Sequence, residues 1–255
     1  MSKTKQASSK KTDRPPKSSF GNALWDNFKQ IVAAVIMALI IKTSIVEAYK
    51  IPSQSMEDTL LIGDFLLANK FVYGARLPLV NWRLPAISEP ERGDVVIFIY
   101  PLDGVTKYIK RCVAVGGDTV VVKNKVLYVN GERFPDPRFF KNVDTTPDGR
   151  QRIEPRGPGG QNSRDNFGPY IVPSGCFFMM GDNRDRSWDS RFWGVVHKDL
   201  ILGEAILVHW SWDDSLYPSP EVSISDPLSV PRMFIYNAVH FFQKVRWNRL
   251  FGLIS

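Results

Sequence analysis

The sequence predicts a mainly β protein, one antiparallel domain or two, set behind a single N-terminal transmembrane helix. Three observations predict it. Past Ile51, short runs rich in Val, Ile, Phe and Tyr recur between Gly, Pro and Asp, a pattern of strands and turns without helical period. The stretches "KNK" and "VNGE" stand between such runs and read as hairpin turns, which make neighbouring strands antiparallel. Ahead of all of them, an apolar run from Ile31 to Ile41 follows a basic arm.

Residues 1–22 carry Lys3, Lys5, Lys10, Lys11, Arg14 and Lys17 against Asp13 alone, a balance of +5 in a 255-residue chain of net charge +7. Their low complexity predicts a disordered arm. A basic arm suits nucleic acid or an anionic membrane face. The adjoining apolar run and the near-neutral remainder favour the membrane and argue against nucleic acid. The run itself has eleven residues, short of the roughly 20 that cross a bilayer. Widened to 23–49, with aromatic residues ahead of it and Lys42 able to snorkel, it spans about 40 Å as a helix. The expectation is an anchor at 23–49, with the arm cytoplasmic and the rest of the chain outside. A signal cleaved close to Ala48 is the rival reading.

The strand-like runs are "VVIFIY" after Asp94, "YIKRCVAV", "VVVKNKVLYVNGE", "YIV", "CFFMMG" and "EAILVHWSW". Residues 144–169, polar and rich in Gly and Pro, predict a long surface loop. The segment from Met233 to Trp247 is too short to span a membrane. It suits a core element or an interfacial helix, and the alternation in "KVRWNRLF" favours the core. Cys112 and Cys176 each sit in an apolar run. A disulfide and two buried thiols both remain open.

"IPSQSMEDTL", Ile51 to Leu60, places two serines one residue apart. A nucleophilic serine needs a base. His197, His209 and His240 lie in no motif-like context, and no G-x-S-x-G surrounds Ser53 or Ser55. The alternative base is a lysine whose burial favours its neutral form. Lys110 in "TKYIKRCVAVGGD" is the candidate: alternation puts Tyr108, Lys110, Cys112 and Ala114 on one face and Ile109, Arg111 and Val113 on the other. Pattern alone favours a solvent-facing strand lysine. A second cluster, "MMGDNRDRSWDSRFWG", carries Asp182, Asp185 and Asp189 with Arg184, Arg186 and Arg191. Arginines at the third and fifth positions and no closing Glu rule out a calcium loop. The cluster predicts a salt-bridged scaffold holding Ser187 or Ser190, or a plain stabilising turn. No metal or cofactor is expected.

Taken in order, "VEAYKIPSQSM", "TLLIGDFLLANKFVYG", "RGDVVIFIYP", "YIKRCVAVGGD", "GDNRDRSWDSRFWG" and "RWNRLF" resemble the bacterial type I signal peptidases, membrane-anchored Ser–Lys peptidases. The resemblance implies Ser55 as nucleophile and Lys110 as general base. It implies an oxyanion hole from Ser53 and the Ser55 N–H, and Ser187 hydrogen-bonded to the lysine. Asp182, Asp189 and Arg191 support the site, and Ile51, Pro52, Leu60, Tyr108 and Ile109 line shallow substrate pockets. The expected division is a catalytic core at about 50–115 and 170–212, an inserted β region and loop at about 116–169, and a C-terminal segment at 213–255. The implied substrates are secreted preproteins cut after small residues at Ala-X-Ala-like sites. The implied setting is the bacterial plasma membrane, in a single pass, with the bilayer and the export machinery as partners. A Ser–Lys relative with one dedicated substrate and an inactive tethered peptide-binding domain are the alternatives. Three departures stand out: Gln54 replaces the usual Gly between the serines, Asp58 replaces a common Pro, and His197 stands where Pro is usual.

Overall fold

The computed structural model describes residues 20–44, 46–74, 85–135, 164–223 and 225–254. Most of the basic arm and of the expected 144–169 loop lie outside these. The chain divides into two compact units, Met1–Ile40 and Ile41–Ser255.

The first unit carries most of helix α1, Phe20–Ser44. Its first turns hold Asp26, Asn27, Lys29 and Gln30, with a side-chain contact of 3.5 Å between Lys29 and Asp26. Among the described residues no helix is long and apolar enough to cross a membrane. The helix ends at Ser44, and Val46–Lys50 forms strand β1 rather than continuing it to residue 49 as expected.

The second unit is mainly antiparallel β structure. Its further strands are β2 (Asp64–Asn69), β3 (Val95–Ile99), β4 (Lys107–Val115), β5 (Thr119–Lys123), β6 (Val126–Val129), β7 (Glu132–Arg133), β8 (Phe167–Ile171), β9 (Cys176–Met180), β10 (Val196–His197), β11 (Ile201–Ser211) and β12 (Gly252–Leu253). The larger sheet runs β1-β2-β11-β3-β4-β9-β10, with β12 beside β11; the smaller runs β7-β6-β5-β8. Chain order places the smaller sheet between β4 and β9. Its two hairpins turn at Asn124–Lys125 and Asn130–Gly131, all four residues at positive φ, as two-residue turns between twisted strands require. Residues 167–169, expected as loop, belong to β8.

Alternation along β4 holds from Tyr108 to Cys112 and then breaks. A register shift against β9 falls between Cys112 and Ala114, so Val113 and Ala114 both enter one core cluster, with Val120, Leu127, Phe167 and Phe178. A second cluster packs Ile51, Met56 and Leu60 on Leu66, Val95 and Ile97. A third packs Phe98, Cys112 and Met179 with Trp193, which closes the short helix α2, Ser190–Trp193. Both cysteines are free, Cys112 buried and Cys176 half-buried. Burial pushes the Cys112 thiol far above its usual range.

The C-terminal segment is not a core strand. It forms helices α3, Ser229–Val239, and α4, Phe241–Lys244, and "KVRWNRLF" becomes a 3-10 turn at Trp247–Arg249. Arginines dictate that conformation. Arg249 Nη2 reaches Asp64 Oδ2 at 2.6 Å and Arg246 Nε reaches Asp213 Oδ2 at 3.1 Å, while Asp64 is fully buried and also accepts from Ser211 Oγ at 2.6 Å. Asp64 would be a buried charge without these partners.

Candidate active site

The loop from Ile51 to Leu60 leaves β1 and folds back before β2. Ile51 N–H donates to Asp64 O at 2.8 Å and Gly63 N–H to Ile51 O at 3.1 Å. Met56 and Leu60 are its apolar roots. Asp58 has φ +77, a conformation closed to proline, so the departure from Pro here follows from the turn itself.

This loop brings Ser55 against β4. Lys110 Nζ lies 2.6 Å from Ser55 Oγ and 3.2 Å from Ile109 O. Lys110 is 4% exposed and Ser55 9%. Burial pulls the lysine down to about 8, against the upward pull of Asp189 and Asp182. Ser53 Oγ lies 3.4 Å from Ser55 Oγ. The three histidines lie elsewhere: His197 pairs with Asp199, His209 packs by Phe65, and His240 stacks on Tyr217.

The acidic-basic loop holds the site from behind. Asp182 is fully buried and bidentate with Arg111, at 2.9 and 2.8 Å; Thr59 Oγ1 donates to it at 2.7 Å. Asp189 caps α2 and is bidentate with Arg191, both contacts at 2.9 Å. Burial pushes the Asp189 carboxyl up, but Arg191, Ser187 and the Gly181 N–H outweigh it and hold it low. Arg191 donates onward to the carbonyls of Arg164 and Arg184. The Asp189–Arg191 pair closes within the loop. Asp182 and Asp185 reach out to Arg111 and Lys125, so the scaffold staples the loop to β4 and to the inserted sheet. Asn183 N–H donates to Ser55 O at 3.1 Å, and Arg186 Nη1 to Gln54 Oε1 at 2.9 Å.

Several expected placements differ. Ser187 is buried, and its Oγ makes no hydrogen bond to Lys110; it faces Asp189, whose carboxyl it helps hold low. It lies over Gly181, where an added Cβ would come within 2.3 Å of that Oγ and 2.4 Å of Ser55 O. The expected Ser187–Lys110 bond is absent here. Ser190 Oγ instead accepts the Met179 N–H at 2.8 Å, inside the fold. Of the five residues expected to line pockets, Ile51 and Leu60 are sealed in the core, at 3% and 0% exposure. Pro52 is exposed, and Tyr108 and Ile109 are half-buried. The sequence reading missed an aromatic wall. Tyr108 stacks on Tyr100 at 4.5 Å, and Trp188 Nε1 donates to Tyr100 Oη at 3.1 Å while stacking on Phe192. The aromatic content of "SWDSRFW" was the available signal.

A buried amine of lowered pKa held against a serine hydroxyl, with the three histidines elsewhere, is an arrangement able to activate that hydroxyl. Residues 24–210 match the family described as signal peptidase, peptidase S26. The chain belongs to this family. It is 38% identical over 205 residues to signal peptidase I of Pseudomonas aeruginosa, covering 73% of this chain and 72% of that protein. It is 34% identical over 252 residues to signal peptidase I of Aquifex aeolicus, covering 82% and 93%. A crystal structure of a signal peptidase I from Enterococcus faecalis V583 aligns with 46% of this chain and 97% of that one, at 26% identity and a TM-score of 0.34. This S26 peptidase is a serine endopeptidase.

Proposed function

We propose that this S26 peptidase removes signal peptides from exported preproteins with Ser55 as nucleophile and Lys110 as general base, at Ala-X-Ala-like sites. One observation carries the reading: a buried amine, pulled down to about 8, lies 2.6 Å from a serine oxygen. At pH 7 about a tenth of such an amine is neutral. The neutral Nζ accepts the Ser55 proton as Oγ attacks the scissile carbonyl. The resulting ammonium then protonates the leaving amine, and a water activated by the same lysine releases the acyl-enzyme. The Ser53 hydroxyl and the Ser55 N–H are the donors for the oxyanion, each worth about 3–4 kcal/mol where such donors are well aimed. Asp182, Asp189 and Arg191 hold the loop beneath the lysine. Pro52, Tyr108 and Ile109 form the shallow, partly apolar surface that suits a small side chain.

The setting is a lipid surface, where the export machinery delivers the preproteins. Two features support it. Leu24, Trp25, Phe28, Ile31, Val35 and Met37 of α1 are more than half exposed. In the second unit, Phe234, Ile235, Val239, Phe242, Trp247, Phe251 and Leu253 are 50–79% exposed along one C-terminal segment. Exposed apolar residues in this number mark an interaction surface. The arm's positive balance suits an anionic cytoplasmic leaflet. The test is to incubate the detergent-solubilised chain with a preprotein beside Ser55→Ala and Lys110→Met. Loss of the mature product in both is expected. Equal cutting by Lys110→Met would sink the dyad.

A further inference from the structure

The dyad sits at one end of a gap between two strand edges. In the larger sheet β1 is a terminal strand. Strand β4 pairs with β3 through Lys107–Arg111, but with β9 only from Arg111 onward. Among the described residues, the second edge of Lys107–Lys110 is therefore unpaired. Three strands separate β1 from β4 in the sheet order, which in a flat sheet means about 19 Å. Side chains nonetheless join them directly: Lys110 meets Ser55 just beyond β1, and Lys107 Nζ meets Glu47 Oε1 at 2.8 Å. The sheet curls until these two edges face one another. An extended peptide adds to such edges by main-chain hydrogen bonds, its alternate side chains entering the flanking surface.

The far end of this gap is charged. Glu47 accepts from Tyr49 Oη at 2.7 Å and pairs with Lys70 at 3.1 Å as well as with Lys107. Burial raises the Glu47 carboxyl, but Lys107, Tyr49 and Lys70 outweigh it and bring it to about 2. Lys107 Nζ lies 5.0 Å from the centre of the Tyr49 ring. Tyr49 and Ile109 belong to one apolar cluster, so Lys107 and Glu47 form the polar lip of the surface they make. The ammonium groups of Lys107 and Lys70 both reach the Glu47 carboxylate. The Lys107 side chain is 45% exposed, whereas that of Lys70 is 16% exposed. Lys107 is thus the charge an incoming peptide meets. It stands three residues from Lys110, about 10 Å along the strand.

We propose that Lys107, steered by Glu47, is a specificity-determining residue that reads the charge of the substrate side chain two to three residues from the cleaved bond and favours acid over base there. The proposal rests on the Ser55–Lys110 reading. A substrate carboxylate joins the cationic lip, and a substrate ammonium is repelled by it.

The test uses the full chain in detergent with peptides spanning a preprotein cleavage site. Asp, Ala or Lys is placed in turn at the second, third and fourth residue on each side of the bond. The wild type is compared with Lys107→Gln and Lys107→Glu by kcat/KM. An acid-over-base ratio of about threefold is expected at one position two or three residues from the bond, the size of a half-exposed ion pair. It falls to about one in Lys107→Gln and inverts in Lys107→Glu. Ratios that stay the same in all three enzymes at every position overturn the proposal while leaving the dyad standing. Cleavage that persists in Ser55→Ala overturns the dyad, and the proposal with it.

Discussion

Among the described residues two buried lysines each contact a serine hydroxyl, and they differ in how close a carboxylate stands. Lys110 is 4% exposed with Ser55 Oγ at 2.6 Å; Lys244 is fully buried with Ser219 Oγ at 2.7 Å. The difference is the carboxylate. Lys244 Nζ touches Asp214 Oδ1 at 2.5 Å and also donates to Asn237 Oδ1 at 2.7 Å, beside the faces of Trp212 and Tyr236. It ties α3 and α4 to the end of β11. Lys110 has carboxylates nearby too, but Asp182 and Asp189 are each held bidentately by an arginine. They act on Lys110 from a distance, and burial prevails. A serine beside a buried lysine is therefore not sufficient. The lysine must also be kept out of a direct ion pair, and Arg111 and Arg191 do that by occupying the carboxylates.

The largest expected effect separates the two pairs by activity. Ser55→Ala and Lys110→Met each reduce kcat by at least about a thousandfold, the usual scale for removing a nucleophile or its base. Ser219→Ala leaves kcat within about twofold. Preprotein cleavage followed by gel mobility of the mature product checks both. A large loss in Ser219→Ala would erase the distinction drawn here.

Next in size is a stability difference of opposite sign. The amine of Lys110 titrates at about 8 in the folded chain against 10.5 for an ordinary lysine. Below pH 8 the folded state holds a buried charge that the unfolded chain keeps in water. Between these two values the unfolded state binds more protons, so stability rises with pH. Lys110→Met has no such group. It is expected to be more stable than the wild type at pH 7 by on the order of 3 kcal/mol. The advantage shrinks as pH rises from about 8 and is gone above about 10.5. Urea unfolding at pH 7, 9 and 10.5 measures this, and a gap that does not narrow would contradict a depressed lysine.

The same contrast shows what sequence could and could not reveal. The order of the motif blocks singled out Ser55 and Lys110, whereas alternation in "YIKRCVAV" alone could not distinguish a buried Lys110 from a solvent-facing one. The hairpin turns were legible because Asn and Gly at positive φ announce themselves locally. "KVRWNRLF" misled because its alternation serves Asp64 and Asp213, which lie in chain segments far from it. Ile51 and Leu60 flank Ser55 in sequence, but their aliphatic side chains point into the core, which adjacency does not reveal. Strand pattern placed Lys110 and Arg111 on opposite faces; nothing in it showed that Arg111 would claim Asp182. Pairings across 71 residues, as between Arg111 and Asp182, leave no local mark.

A smaller expected effect tests the shielding of the carboxylates. Asp189 is the largest source of upward pull on Lys110, set against the downward pull of burial. Asp189→Asn removes that pull and leaves the Arg191 cation in place. The acid limb of the kcat/KM profile should then move below 8, raising the pH 7 rate relative to its own plateau by about threefold for half a pKa unit. Some destabilisation accompanies the loss of a buried pair, so the rates are normalised to enzyme titrated at Ser55. An acid limb that stays in place or moves upward would mean that Asp189 does not act on the lysine through charge.

The smallest effect belongs to the other lysine. Burial pushes the Asp214 carboxyl up, but hydrogen bonds from Lys244, Ser219 and Trp212 outweigh it, and the carboxyl sits below its usual range. A carboxylate depressed in this way stabilises the fold above its unfolded value, near 3.9, and the contribution is lost as pH falls through the lower folded value. The Asp214 side chain is half exposed, at 51%, so solvent screens the pair. Asp214→Asn should cost no more than about 1 kcal/mol at pH 7. The deficit should vanish as pH drops through the carboxylate range, because the wild-type group is then neutral as well. Thermal unfolding of both proteins from pH 7 to pH 3 checks this. A deficit independent of pH would assign Asp214 a packing role, and the contrast between the two lysines would then rest on burial rather than on their carboxylates.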